Sequence, residues 1–271
     1  MCKIMIRYIR LLFVSAKYSF KTEISYRASY LINRIAQALA YGMAFILMWI
    51  MVGNFGTLNG WNKYEVLLLY ASSLMSYSLA GSIVIGLYNN LQKDVMDGTF
   101  DDVLLKPVAV LPYLITTRFT WAYLSHIFLS FGVMLYSFQH LNRDFNIKFA
   151  LGFVLQIIFG ALIYFSLLLI IRTPVFFFIK FESVSDFFFF FREMSYYPLS
   201  IYPKAMQTIL LYILPYAFIN YIPMKHMLGK EDFFIGGEIS IFLSPIVAVL
   251  LLIMAVLFFD FGVNHYKSTG S

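Results

Sequence analysis

Five ionisable side chains sit in an otherwise apolar stretch. Lys180, Glu182, Asp186, Arg192 and Glu193 fall between Val175 and Tyr197, around the phenylalanine run Phe187–Phe191. By spacing, Glu182, Asp186 and Glu193 share one helical face. Charge at bilayer depth is costly unless it faces protein or water, and where it occurs it marks ion sites, proton relays or substrate paths. Lys180, Glu182 and Asp186 are therefore candidate pathway residues. Few other residues can do chemistry. His126, His140, His226 and His265 show no metal-ligand spacing. Neither His-Glu-x-x-His nor Gly-x-Ser-x-Gly occurs. Gly229-Lys230 has Met224 where a P-loop needs its first glycine and Glu231 where it needs Ser or Thr. The single cysteine, Cys2, excludes disulfide frameworks and four-cysteine metal sites. The chain is expected to be non-catalytic, with no metal and no cofactor of its own.

The elements that hold these residues are set by hydropathy. Of 271 residues, 61% are hydrophobic and 13% charged, about half the charged fraction of an ordinary soluble domain. Apolar runs of about twenty residues recur, each long enough to cross the hydrocarbon core as a helix. Spans are expected at about 30–52, 64–88, 110–138, 149–171, 175–197 and 239–263. Span two is rich in Ala, Ser and Gly, which lets helices approach closely in lipid. The expected fold is all-α: one polytopic membrane domain over 30–267, preceded by an interfacial helix over 1–29.

That first helix carries Lys3, Arg7, Arg10, Lys17 and Lys21 on one face and Ile9, Leu12, Phe13, Ala16 and Phe20 largely on the other. Such a pattern lies on a membrane surface. With Arg27 and Arg34, and against Glu23 alone, these cations account for the net charge of +6. A nucleic-acid binder would carry its basic face on a soluble module. Here the cluster leads into an apolar span, which puts both termini of a six-span chain in the cytoplasm.

Two segments between the spans are patterned. Residues 89–107 read as a charged helix, a glycine stop and a short amphipathic helix. In it Val95, Met96, Phe100, Val103 and Leu104 stand among acids, as anchors for a partner's groove. Residues 198–223 are broken by Pro198, Pro203, Pro215 and Pro223, which suits two short re-entrant helices better than a clean crossing.

The run Asp-Gly-Thr-Phe-x-x-x-Leu-Leu-x-Pro at 97–107 resembles the segment after the second span in ABC-2 type permeases of ABC exporters. Tyr-Tyr-Pro-Leu-Ser-Ile-Tyr-Pro…Leu-Pro-Tyr-Ala-Phe-Ile-Asn-Tyr-Ile-Pro at 196–223 is similar to a motif of one ABC-2 subfamily, once known only as a domain of unknown function. Tyr216 stands where phenylalanine is common there, and Ile222 where a second tyrosine is common. The resemblance covers most of the chain and implies a type V exporter-like fold. It implies a coupling helix over about 90–106, with Asp94, Val95, Met96, Gly98, Phe100, Val103 and Leu104 meeting the ATPase. It implies an outer gate at about 198–223, with Tyr197, Pro198, Tyr202, Pro203, Pro215, Asn220 and Pro223. The implied partners are two copies of an ABC ATPase, which would bind ATP and Mg, and a second permease chain, identical or paralogous.

The expected function is that of the permease subunit of an ATP-driven exporter in a bacterial plasma membrane, moving an amphiphilic peptide, drug or lipid. The alternative is a secondary transporter or channel that uses Glu182 and Asp186 inside the membrane; the chain shows no inverted repeat of the kind such proteins often carry. A membrane-embedded enzyme ranks third, for want of a catalytic cluster.

Overall fold

The structure, a computed structural model, describes residues 2–25, 27–141, 146–178, 182–230 and 240–268. Helix α1 (Cys2–Ser25) is followed by α2 (Arg27–Phe55), whose apolar side chains are mostly exposed, as lipid-facing or chain-facing residues would be. A two-residue ladder, β1 (Thr57–Leu58) and β2 (Trp61–Asn62), turns the chain at Asn59-Gly60, where both residues have positive φ. The Asn-Gly pair suits such a turn because it takes this backbone conformation at low cost.

Helix α3 (Lys63–Met96) is the centre of the molecule. The Asn62 side chain accepts from the Glu65 N–H and the Glu65 carboxylate accepts from the Asn62 N–H, closing a capping box. Most of α3 is buried against α6 (Leu124–His140) and α7 (Ile147–Arg172). Its small residues do what the sequence predicts. The Ser76 hydroxyl donates to the Ile157 carbonyl at 3.1 Å, and Gln156 Nε2 donates to the Ser72 hydroxyl at 3.2 Å. Helices in lipid gain from such cross-helix bonds. Helix α11 (Ser240–His265) packs on α7.

Four helices among the described residues are long and apolar enough to cross a membrane: α2, α3, α7 and α11. This bears out an all-helical polytopic fold, while two of the expected spans are not single long helices among the described residues. The stretch 110–138 is not one helix. It divides into α5 (Val110–Thr117) and α6, with Arg118–Tyr123 non-helical between them. Breaks of this kind survive in membrane proteins when neighbours satisfy the freed backbone groups. Here the Thr120 N–H donates to the Ser82 carbonyl and the Trp121 N–H to Glu23.

The second such stretch is 175–197. A 3-10 turn (Thr173–Phe176) is followed by α8 (Glu182–Met194), 13 residues long. That is about 20 Å of helix, short of the roughly 30 Å hydrocarbon core. The Ser195 hydroxyl donates to the Arg192 carbonyl at 2.7 Å, and Pro198 follows, so the helix ends before it can span alone. Beyond it come a 3-10 turn (Leu199–Ile201), α9 (Lys204–Thr208) with a π turn (Ile209–Ile213), a 3-10 turn (Tyr216–Phe218) and α10 (Tyr221–Met227). The two arms of this pair, Lys204–Ile213 and Tyr216–Met227, meet at 75° around Leu214-Pro215.

Candidate functional site

At the C-terminal end of α3 the chain caps on Asp97, turns at Gly98 (φ +73°) and forms α4 (Phe100–Leu104). Few residues other than glycine adopt that φ at low cost. The seven expected docking residues divide here. Val95, Phe100 and Val103 point inward. Phe100 is fully buried, its ring 5.1 Å from that of Phe176 and 5.0 Å from that of Tyr266. Phe176 in turn packs edge-on against Phe259 of α11. Met96 and Leu104 are exposed, as is Leu105. Asp94 is not a surface anchor. It pairs with Arg118 at 2.5 Å and accepts from the Thr99 hydroxyl at 3.4 Å. Tyr266, beside α4, has its phenol pushed above its usual pKa by burial and, secondly, by the Asp101 carboxylate.

At the N-terminal end of α3 the proline-broken segment is fastened to the β1–β2 turn. Asn59 Nδ2 donates to the Ser200 carbonyl at 3.0 Å, Trp61 stacks near Tyr221, and Lys230 bridges Glu65 at 2.7 Å. The candidate gate residues gather here. Asn220 is buried, and its Nδ2 donates to the carbonyls of Leu69 and Ser195. The Tyr202 hydroxyl donates to the Met194 carbonyl at 3.0 Å. Pro198 and Pro203 precede the Leu199–Ile201 turn and α9, and Pro215 sits at the 75° bend. Tyr197 lines a cavity beside α2, and Pro223 a small crevice against α7 and α11.

Between these ends the structure assembles a cluster that sequence reasoning missed. Arg192 is buried, its guanidinium 4.3 Å from the Tyr77 ring centre and 5.2 Å from that of Phe189. The hydroxyls of Ser73, Tyr164 and Ser195 lie within 3.2 Å of one another. A cavity of about 410 Å³ opens beside Arg192, lined also by Tyr41, Tyr70, Tyr196 and Tyr197. The available signal was the spacing of Phe188, Arg192 and Ser195, which puts the arginine on the packed face of α8. Of the expected pathway residues, Asp186 lies on the exposed face of that helix, Glu182 is its first residue, and Lys180 lies outside the described residues. No cluster of three metal-ligating side chains occurs among the described residues.

A long buried central helix, three flanking apolar helices and two polar, tightly fastened ends define a multi-pass helical membrane protein. The model of the ABC-2 family transporter protein matches residues 38–270, and the chain belongs to that family. It is thus a membrane component of an ABC transporter, a class that works with an ABC ATPase. No curated protein and no solved structure matches it.

Proposed function

We propose that this chain is the permease subunit of an ATP-driven exporter, with α4 and the end of α3 as its coupling element. The observation that carries this reading is the seating of Phe100. It ties α4 to the turn after α7 through Phe176, and to the chain just beyond α11 through Tyr266. A push on the exposed Met96, Leu104 and Leu105 would therefore reach three long helices through one packed ring. The Asp94–Arg118 pair would carry the same push into the break before α6.

In this reading two ATPase copies, holding ATP and Mg, close beneath a pair of permease chains, identical or paralogous. ATP can drive the cycle only by having unequal affinity for the two conformations. The six crossings are α2, α3, the broken α5–α6, α7, α8 with the turn that follows it, and α11. The arms Lys204–Ile213 and Tyr216–Met227 form a re-entrant outer gate, which is consistent with their 75° bend. Both termini lie in the cytoplasm of a bacterial cell, and the cargo is amphiphilic.

The test is co-purification. Met96→Asp, Leu104→Asp and Leu105→Asp combined should release the ATPase while the chain still inserts. An intact complex with normal ATPase stimulation would overturn the coupling assignment.

A further inference from the structure

The cavity beside Arg192 holds a buried guanidinium that pairs with no described carboxylate. Arg192 and Tyr196 both line it, at 6% and 7% exposure. The Arg192 Nε donor and the Tyr196 hydroxyl are buried without a hydrogen-bond partner. Glu193 also lines the cavity but is exposed and forms no ion pair with Arg192. Cation–π contacts to Tyr77, Phe189 and Tyr196 favour the charge, yet ring faces leave the Nε donor unsatisfied.

The facing side of α2 repeats the pattern. Arg34, Gln37, Tyr41, Ala44 and Met48 recur at steps of three and four, on one helical face. Arg34 Nε and Nη1 and the Gln37 carbonyl oxygen are likewise buried without partners. Two cations thus stand along the α2–α8 side inside an apolar protein, where unpaired charge is costly. Ala40, Ala44 and Met48 make the α2 wall apolar, and the two alanines leave it open along that helix.

We infer that this cavity binds the anionic head group of an amphiphile, a carboxylate or a phosphate, with the Arg192 guanidinium and the Tyr196 hydroxyl as its donors. Arginine offers such oxyanions paired donors in matching geometry. The alkyl chain leaves past Ala40 and Ala44. Beside Arg192 a cationic head group meets like charge, and a neutral one leaves the Arg192 Nε charge without a counter-ion. The assignment deepens the exporter reading by naming the chemistry of the cargo, and rests on that reading for its role in transport.

The test is equilibrium binding of radiolabelled dodecyl phosphate to the full chain in amphipol, without ATP or ATPase. Saturable binding is expected, with no competition from dodecanol or dodecyltrimethylammonium. Arg192→Gln and Ala44→Trp should each weaken it about tenfold or more. Ala44→Trp fills the cavity and leaves Arg192 in place, so it decides the matter even where Arg192→Gln fails to accumulate. Tyr196→Phe removes only an unpartnered hydroxyl. It should weaken binding about three- to tenfold with no loss of stability. Equal competition by all three amphiphiles, or wild-type affinity in Ala44→Trp and Tyr196→Phe, would overturn the proposal.

Cargo and resident lipid share this head-group chemistry. ATP-dependent release of bound probe from the ATPase complex marks a cargo site. Phosphatidylglycerol retained through purification by the wild type and lost from Ala44→Trp marks a lipid site. Binding in a chain that never stimulates an ATPase leaves the anion site standing and counts against the exporter reading. ATP-driven export of cargo by a chain that does not bind the probe does the reverse.

Discussion

Glu23 of α1 accepts a hydrogen bond from the backbone N–H of Trp121, 98 residues away, at 3.1 Å. The same carboxylate oxygen accepts from the Thr120 hydroxyl at 3.2 Å, and the Trp121 indole donates back to the Ala16 carbonyl at 2.8 Å. The lone acid of a basic surface helix therefore holds open the break between α5 and α6. Glu23→Ala should destabilise the chain by about 1–3 kcal/mol, read as a lower unfolding midpoint in mild detergent. Amide hydrogen exchange should rise at 119–123, and Glu23→Gln should retain part of the protection. Unchanged exchange there would remove Glu23 from this role.

The break sits against α3 at Gly86. A Cβ at that position would lie 2.1 Å from the Arg118 carbonyl oxygen, which is backbone and cannot swing aside. Alanine in a helix is otherwise favoured over glycine by up to about 1 kcal/mol. Gly86→Ala should nonetheless destabilise by about 1–3 kcal/mol through overpacking. Gly42→Ala, with nothing within 4 Å of its Cβ, should be neutral or stabilising. Unfolding midpoints of the two variants, measured together, give the sign.

Asn220 spans two elements with one amide, donating to Leu69 of α3 and to Ser195 beyond α8. Asn220→Ala leaves both carbonyls without this donor and should cost about 1–3 kcal/mol. Asn220→Asp adds a buried charge next to two carbonyl oxygens and should be worse. Accumulation in the membrane and thermal unfolding of the purified chain rank the three proteins. Equal midpoints would show that the outer segment does not depend on this link.

Phe100 and Leu104 lie on one short helix yet should fail differently. Phe100→Ala empties a packed ring site and should cost about 3–5 kcal/mol. Leu104, 40% exposed, should tolerate Ala within about 0.5 kcal/mol while weakening ATPase recovery. A stable Phe100→Ala chain that alone sheds the ATPase would reverse this division.

Asp186 lies on the exposed face of α8. Asp186→Asn should leave folding unchanged and alter ATP-driven flux, measured in proteoliposomes with the partner ATPase. If the variant instead fails to accumulate, the carboxylate is structural.

How much of this was legible in the sequence follows from which forces are local. A membrane helix satisfies its own backbone, so length and hydropathy alone placed α2, α3, α7 and α11. The small residues of α3 forecast close packing, and the prolines from 198 to 223 forecast a bent segment, because both act on their own stretch of chain. The break at Arg118–Tyr123 was not legible. Its backbone is satisfied by Glu23 and Ser82, and its arginine by Asp94, all remote in sequence. The same holds for the site. The sequence showed that α8 carries charge, but which charge turns inward depends on Tyr77 and Tyr196, whose rings meet Arg192 only in the folded chain. Phe100 likewise read as a docking anchor until Phe176 and Tyr266 closed over it. Hydropathy fixes what enters the membrane; partners distant along the chain decide which polar groups it can hold there.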